Sequence, residues 1–161
     1  MCKEVDKAYE RALWFLERRD RTEKEVSDKL SGLGFSEEVV SGTLDRLKEA
    51  GLVDDADYAV RYMEALTAKG RGRLRITSEM RRKGLPDELV RNTLDDGLLA
   101  EDERARAVEA ARKAWAAVPE GTDQRKAAAK VNRKLVSLGF TYSTIGEAMA
   151  EIRRECDNAE D

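Results

Sequence analysis

Three short segments of the chain place the same apolar pattern around a glycine. They read LSGLGFSEEVV from Leu30, MRRKGLPDELV from Met80 and LVSLGFTYSTI from Leu135. Superposing them pairs Gly34 with Gly84 and Gly139, at separations of 50 and 55 residues. Leu30, Met80 and Leu135 fall four places before the glycine. Phe35, Leu85 and Phe140 fall just after it, Val40, Val90 and Ile145 six after it, and Leu44, Leu94 and Met149 ten after it. Val26, Ile76 and Val131 correspond upstream. A matched apolar set recurring at this period implies supersecondary blocks that bury their faces by stacking on one another.

Each shared position has a local physical cause. A helix that ends in a left-handed residue takes glycine there, because glycine has no Cβ to clash. The apolar residue that follows folds back on the last turn. Ser36 and Thr141 are suited to cap the free N–H groups of a new helix, and Pro86 to begin one. Glu37, Glu38, Asp87 and Glu88 then favour its positive end. Thr22 and Glu25 have the spacing of a capping box, followed by Val26, Leu30 and Leu33 at helical intervals. Asp54 or Asp55 is suited to cap the long helix that carries Tyr58 and Tyr62.

The spacing predicts nine helices, over 5–19, 22–33, 37–50, 55–69, 73–83, 86–95, 101–117, 123–138 and 142–155. Grouped in threes, they give repeats over residues 1–52, 53–98 and 99–161. The segments 69–72 and 118–121 (KGRG and VPEG) are the clearest breaks. The expected class is all-α, as an elongated curved stack of three tandem three-helix, helix-turn-helix-like repeats.

The formal net charge of −3, from 30 basic and 33 acidic residues, does not describe a general nucleic-acid binder. The charge is uneven. Residues 61–91 carry 9 basic and 4 acidic side chains, against 10 and 15 before them and 11 and 14 after. A locally basic middle on an acidic chain predicts one surface that meets a polyanion or an acidic partner. The candidates there are Arg71, Arg73, Arg75, Arg81, Arg82 and Lys83. Arg71 and Arg73 flank a glycine in a loop, where pairing along a helix cannot explain them. Lys126, Lys130, Arg133 and Lys134 recur at intervals of three and four and form a second candidate strip. Neighbouring Asp123, Glu147 and Glu151 would neutralise it, which favours plain solubility for that strip. Arg18, Arg19 and Arg21 form a third, weaker cluster beside Asp20 and Glu23.

Other chemistries find little support. The chain has no histidine, which excludes Ser-His-Asp and Cys-His nucleophile schemes. There is no GxxxxGK[ST] phosphate loop. Cys2 and Cys156 lack metal-ligand spacing, so neither a metal nor a cofactor is expected, and a reducing cytosol fits. No apolar run is long enough for a membrane span, and the first residues lack a signal-peptide core. Asp54 and Asp55 resemble a carboxylate pair, but capping explains them without catalysis. Tyr62 and Phe15 are read as core; Trp14 and Trp115 are candidate interface anchors.

These motifs resemble the RecX regulatory family. The first repeat, ALWFLERRDRTEKEVSDKLSGLGFSEEVVSGTLDRLKEAGLVDD, has the family's first pattern. The second, GLVDDADYAVRYMEALTAKGRGRLRITSEMRRKGLPDELV, is more specific. It carries Asp54-Asp55 after an apolar pair, the Tyr58–Tyr62 helix, the Lys-Gly break and the basic stretch in the expected order. The third matches more loosely. The residues themselves suggest a cytoplasmic protein that is not an enzyme and is simplest as a monomer, and the resemblance implies a partner, the RecA recombinase filament on single-stranded DNA. It implies inhibition of ATP hydrolysis, strand exchange and co-protease action, and so damping of recombination, DNA repair and the SOS response, with weak direct DNA contact. The alternative is a helix-turn-helix-like protein acting on nucleic acid by itself.

Overall fold

The computed structural model describes residues 1–161. It contains nine helices and no strand: α1 (Cys2–Leu16), α2 (Glu23–Gly32), α3 (Glu37–Glu49), α4 (Asp55–Ala68), α5 (Arg73–Arg82), α6 (Asp87–Gly97), α7 (Ala100–Ala116), α8 (Gln124–Leu138) and α9 (Tyr142–Ala159). The all-helical class and the helix count agree with the sequence reading.

The repeat glycines terminate α2, α5 and α8 as expected. Gly34, Gly84 and Gly139 have φ of 91°, 82° and 91°. The apolar residue after each glycine donates its N–H back to the matched carbonyl five residues earlier. These bonds are Phe35 to Leu30 at 3.2 Å, Leu85 to Met80 at 3.3 Å and Phe140 to Leu135 at 3.3 Å. This is the helix-closing pattern that a left-handed residue permits. The capping box is complete: the Thr22 hydroxyl accepts from Glu25 N and the Glu25 carboxylate accepts from Thr22 N, both at 3.2 Å. Ser36 and Thr141 cap α3 and α9. Pro86 precedes the first residue of α6, and its carbonyl accepts the N–H of Val90 at 2.9 Å.

Three ends differ from the expectation by three residues or more, and the first is the start of α1 at Cys2 instead of residue 5. α1 stops at Leu16, three residues early. Thr22 caps the next helix, so the charged stretch 17–21 serves as the connection. α9 runs on to Ala159, because nothing between Arg153 and Ala159 breaks a helix, and Arg112 of α7 grips Glu155 on its flank.

By compactness the chain forms two units. Unit 1 comprises Met1–Tyr62 and Glu79–Thr93; unit 2 comprises Met63–Ser78 and Leu94–Asp161. The division passes through α4, α5 and α6, so the middle three helices are shared. In unit 1, Ala8 and Ala12 of α1 lie against Val26 and Leu30 of α2 and against Val39, Val40, Leu44 and Leu47 of α3. In unit 2, Ala107, Val108 and Ala111 of α7 meet Val131 and Leu135 of α8 and Ile145, Met149 and Ile152 of α9. Alanine on α1 and α7 lets the neighbouring helices approach closely. The repeat positions carry the burial: Leu30, Met80, Leu135, Val26, Ile76 and Val131 are all 0% exposed. Each such side chain contributes about 1.5–3 kcal/mol of transfer free energy.

Candidate polyanion-facing surface

The basic candidates sit at two helix junctions built alike. In unit 1 the hydroxyl of Thr22, at the start of α2, donates to the carbonyl of Lys83, at the end of α5, at 2.6 Å. In unit 2 Gly72 N, at the start of α5, donates to the carbonyl of Leu138, at the end of α8, at 2.8 Å, and Leu74 N donates to Gly139 O at 2.9 Å. Thr22 and Gly72 are equivalent positions of successive repeats. Each junction also receives a carboxylate from the following long helix. Asp55 Oδ1 accepts from Glu23 N at 2.9 Å, and Glu103 Oε1 accepts from Arg73 N at 2.7 Å. An acid at a helix N-terminus satisfies a free N–H and opposes the dipole. Burial pushes the Asp55 carboxyl above its ordinary pKa, against the lowering effect of that bond. Glu103 is only 5% exposed.

The cations around the start of α5 are placed by this docking, with Arg71 in the loop and Arg73 opening the helix rather than lying in the loop. Arg71 is half-buried, and its carbonyl accepts from Arg106 Nη1 at 2.6 Å. Arg73 reaches Asp95, and Arg75 Nη1 donates to the Ser137 carbonyl at 3.2 Å. Farther along α5, Arg81 pairs with Asp87 at 3.0 Å, Arg82 with Glu79 at 3.9 Å and Lys83 with Glu25 at 3.9 Å. Lys83 also lies 5.8 Å from the Tyr62 ring centroid. Most of the middle stretch thus has acidic or carbonyl partners of its own. Arg71, Arg73, Arg75 and the α8 strip belong to unit 2; Arg81, Arg82 and Lys83 belong to unit 1.

The α8 strip is different. Lys126, Lys130, Arg133 and Lys134 are exposed and their side chains make no ion pair. At 100° per residue they fall within about one quarter of the helix circumference. The acids expected to neutralise them are engaged elsewhere. Glu147 and Glu151 hold Arg104 at 3.5 and 3.7 Å. Asp123 caps α8 itself, accepting from Arg125 N at 2.8 Å and Lys126 N at 3.3 Å. The strip is therefore the more open cationic surface, although it lies outside the stretch with the greatest excess of positive charge.

Sequence reasoning missed Asp55 as a partner of α2, since it read that residue only as a cap of its own helix; Asp54 performs that role, accepting from Asp57 N at 3.1 Å. It also missed Arg106. Burial lowers the pKa of its guanidinium from the ordinary value, and its Nε and Nη2 are buried without a hydrogen-bond partner. The signal was present in register: Asp55, Ala59 and Met63 map onto Glu103, Ala107 and Ala111. Of the aromatics, Tyr62 and Phe15 are half-buried. Trp115 packs on the unit 2 core, whereas Trp14 is 55% exposed with Arg18 over its ring at 5.2 Å.

Comparison with known proteins matches two family models, the RecX first three-helix domain over residues 8–47 and the RecX second three-helix domain over residues 54–94. The regulatory protein RecX of Prosthecochloris aestuarii is 31% identical over 147 residues, covering 91% of this chain and 93% of that protein. RecX of Levilactobacillus brevis is 34% identical over 151 residues, 92% of this chain but 55% of that protein. RecX of Mycobacterium sp. strain JLS is 41% identical over 103 residues, 63% of this chain and 56% of that protein. The chain thus spans little more than half the length of the last two relatives. Its fold is similar to the crystal structure of RecX from Lactobacillus salivarius, with 25% identity and a TM-score of 0.85 over 95% of this chain and 99% of that one. No helix is long and apolar enough to cross a membrane.

Proposed function

The chain belongs to the RecX family of regulatory proteins, and on that premise we propose that it binds the RecA recombinase filament on single-stranded DNA and inhibits it. The observation that carries this reading is the match along nearly the full length of both this chain and the Prosthecochloris aestuarii regulatory protein. The protein acts by contact and not by catalysis, as a cytoplasmic monomer. Its repeats are residues 1–52, 53–98 and 99–161, with the middle one shared between the two compact units. Repeated helical modules offer more than one contact to a polymer of identical subunits, and linked contacts favour a filament over a free subunit. ATP hydrolysis, strand exchange and co-protease action are the activities restrained, and with them recombination and the SOS response.

Among the candidate cations, the unpaired row Lys126, Lys130, Arg133 and Lys134, together with Arg71, supplies the contact. Arg73 and Arg75 shape the junction that holds α5 to α8, while Arg81, Arg82 and Lys83 are already partnered and contribute less. The test is RecA-dependent ATP hydrolysis on single-stranded DNA with added protein. Inhibition at micromolar concentration is expected, and unchanged hydrolysis refutes the proposal.

A further inference from the structure

Unit 2 contains a groove of about 450 Å³ between the end of α4, α7 and the end of α8. Its lining includes Lys69, Lys113 and Lys134, all exposed and none in an ion pair. The apolar part of the lining is Ala110, Ala114 and Ala117 along one side of α7, with Leu138 of α8. Two further lining residues hold buried polar atoms without partners: Thr67 through Oγ1, and Arg106 through Nε and Nη2. Unsatisfied buried donors cost free energy unless something meets them. The carboxylate in the lining, Glu109, is paired with Arg112 at 3.5 Å.

We propose that this groove takes one nucleotide of a single-stranded nucleic acid, with the base on the alanine floor and its phosphate among Lys69, Lys113 and Lys134. Three point charges around an apolar strip suit a ligand that is anionic on one side and flat and apolar on the other. Alanines at intervals of four and three residues keep the floor low beside the Arg106 and Lys113 side chains of α7, so a planar ring can lie against it. An aliphatic floor offers no pattern of donors and acceptors to read, so binding is indifferent to sequence, as when bases meet a protein through their faces. A duplex does not fit, because its base faces are stacked on their neighbours. From Lys134 the cations continue along α8 through Lys130 to Lys126 at intervals of four residues, about 6 Å apart. A regular row of unpaired charge leading out of the groove matches the repeating phosphates of a strand better than a free nucleotide or an acidic peptide.

The inference does not depend on recombinase, and its test omits it, so either idea can fail while the other stands. A labelled oligothymidylate of about 15 nucleotides, within the range of known strand footprints, is titrated with the full chain at several salt concentrations. The groove variant carries Lys69→Gln, Lys113→Gln and Lys134→Gln. A control variant with the same change of net charge carries Lys3→Gln, Lys7→Gln and Arg11→Gln, exposed residues of α1 in unit 1. Both should melt as the unaltered chain does. Removing the three cations around one phosphate is expected to flatten the slope of log K against log salt by about 0.7 and to weaken binding about tenfold near 0.1 M salt. The control is expected to stay within about twofold, because it removes charge but no phosphate contact. Equal losses in both variants, or none in the groove variant, overturn the proposal. So does the absence of strand binding by the unaltered chain at about 100 µM, the weak end of non-specific affinity. Displacement of the strand at equal concentration by a mononucleotide or a polyglutamate peptide overturns it too.

Discussion

Gly72 lies where α5 meets the end of α8, and replacing it with alanine tests the junction directly. A Cβ there would lie 2.5 Å from the carbonyl carbon and oxygen of Gly139 and from Phe140 N. Ordinary carbon contacts are about 3.5–4.0 Å, so the two backbones must part by about 1 Å. Backbone cannot rotate away as a side chain can. The movement stretches two bonds, Gly72 N to Leu138 O and Leu74 N to Gly139 O, each worth about 1 kcal/mol net. Crowding of a packed site adds about 1–3 kcal/mol. The expected loss for Gly72→Ala is therefore about 3 kcal/mol, a sizeable part of the 5–15 kcal/mol typical of whole proteins. In a chain of this size that lowers the melting temperature by about 6–12 °C. The assay is thermal and urea denaturation followed by circular dichroism. Gly146→Ala on α9 is the control of opposite sign. A Cβ there meets nothing within 4 Å, and alanine in a helix gains about 0.5–1 kcal/mol over glycine. A loss below about 0.5 kcal/mol for Gly72→Ala, no more than an ordinary surface change, would refute the idea that this close approach organises unit 2.

Thr22→Val keeps the shape of a fully buried side chain but removes both the α2 cap and the bond to Lys83 O. Losing a cap costs about 1 kcal/mol and leaving a carbonyl unpaired about 1–3, so urea melts should show a loss of at least 2 kcal/mol on that order. Asp55→Asn keeps an oxygen for Glu23 N and removes a charge whose pKa is raised by burial. Between the ordinary carboxylate value and the raised one the folded state binds more protons than the unfolded. The native residue therefore contributes less stability as pH rises through that window. The stability of the Asp55→Asn variant relative to the unaltered chain should rise from the ordinary carboxylate value upward and then level off. Urea midpoints from acid to neutral pH check it, and a difference that shrinks with pH contradicts it. Lys126→Glu with Lys130→Glu should raise the concentration for half-inhibition of RecA-dependent ATP hydrolysis about tenfold, the 1.4 kcal/mol expected of two lost charge contacts, with an unchanged melting temperature. Arg81→Glu with Arg82→Glu should move it less, since those cations already have acidic partners.

What could be read from the sequence was local. A left-handed glycine, the bond from Phe35 to Leu30, and the reciprocal pair of Thr22 and Glu25 are settled within six residues of chain. Their residue types therefore announce them wherever they occur. The helix-spaced apolar positions were legible for a related reason: three copies of one pattern make chance agreement improbable, and six of the matched residues, Val26, Leu30, Ile76, Met80, Val131 and Leu135, are fully buried. Gly72 gives no comparable sign. Its φ is not positive, and its need for glycine comes from a backbone that lies 67 positions later, at Gly139. The sequence marks it only as part of a break.

The charges show the same division and change where a partner should be sought. Counting residues directs attention to 61–91, because a count cannot see that Arg73 meets Asp95 or that Lys83 meets Glu25 across 58 positions. Net charge along a sequence and available charge on a surface are different quantities, and only available charge can displace counterions from a polyanion. On α8 the inequality runs the other way. Three acids close in sequence or on the facing helix promise neutralisation, yet one is used by the helix N-terminus and two by Arg104. The row they leave bare adjoins the groove at Lys134. If a strand lies there, charge reversal on α8 should weaken both strand binding and inhibition, whereas the same reversal at Arg81 and Arg82 should spare strand binding. Equal effects from both pairs would mean that long-range field, not local contact, governs association.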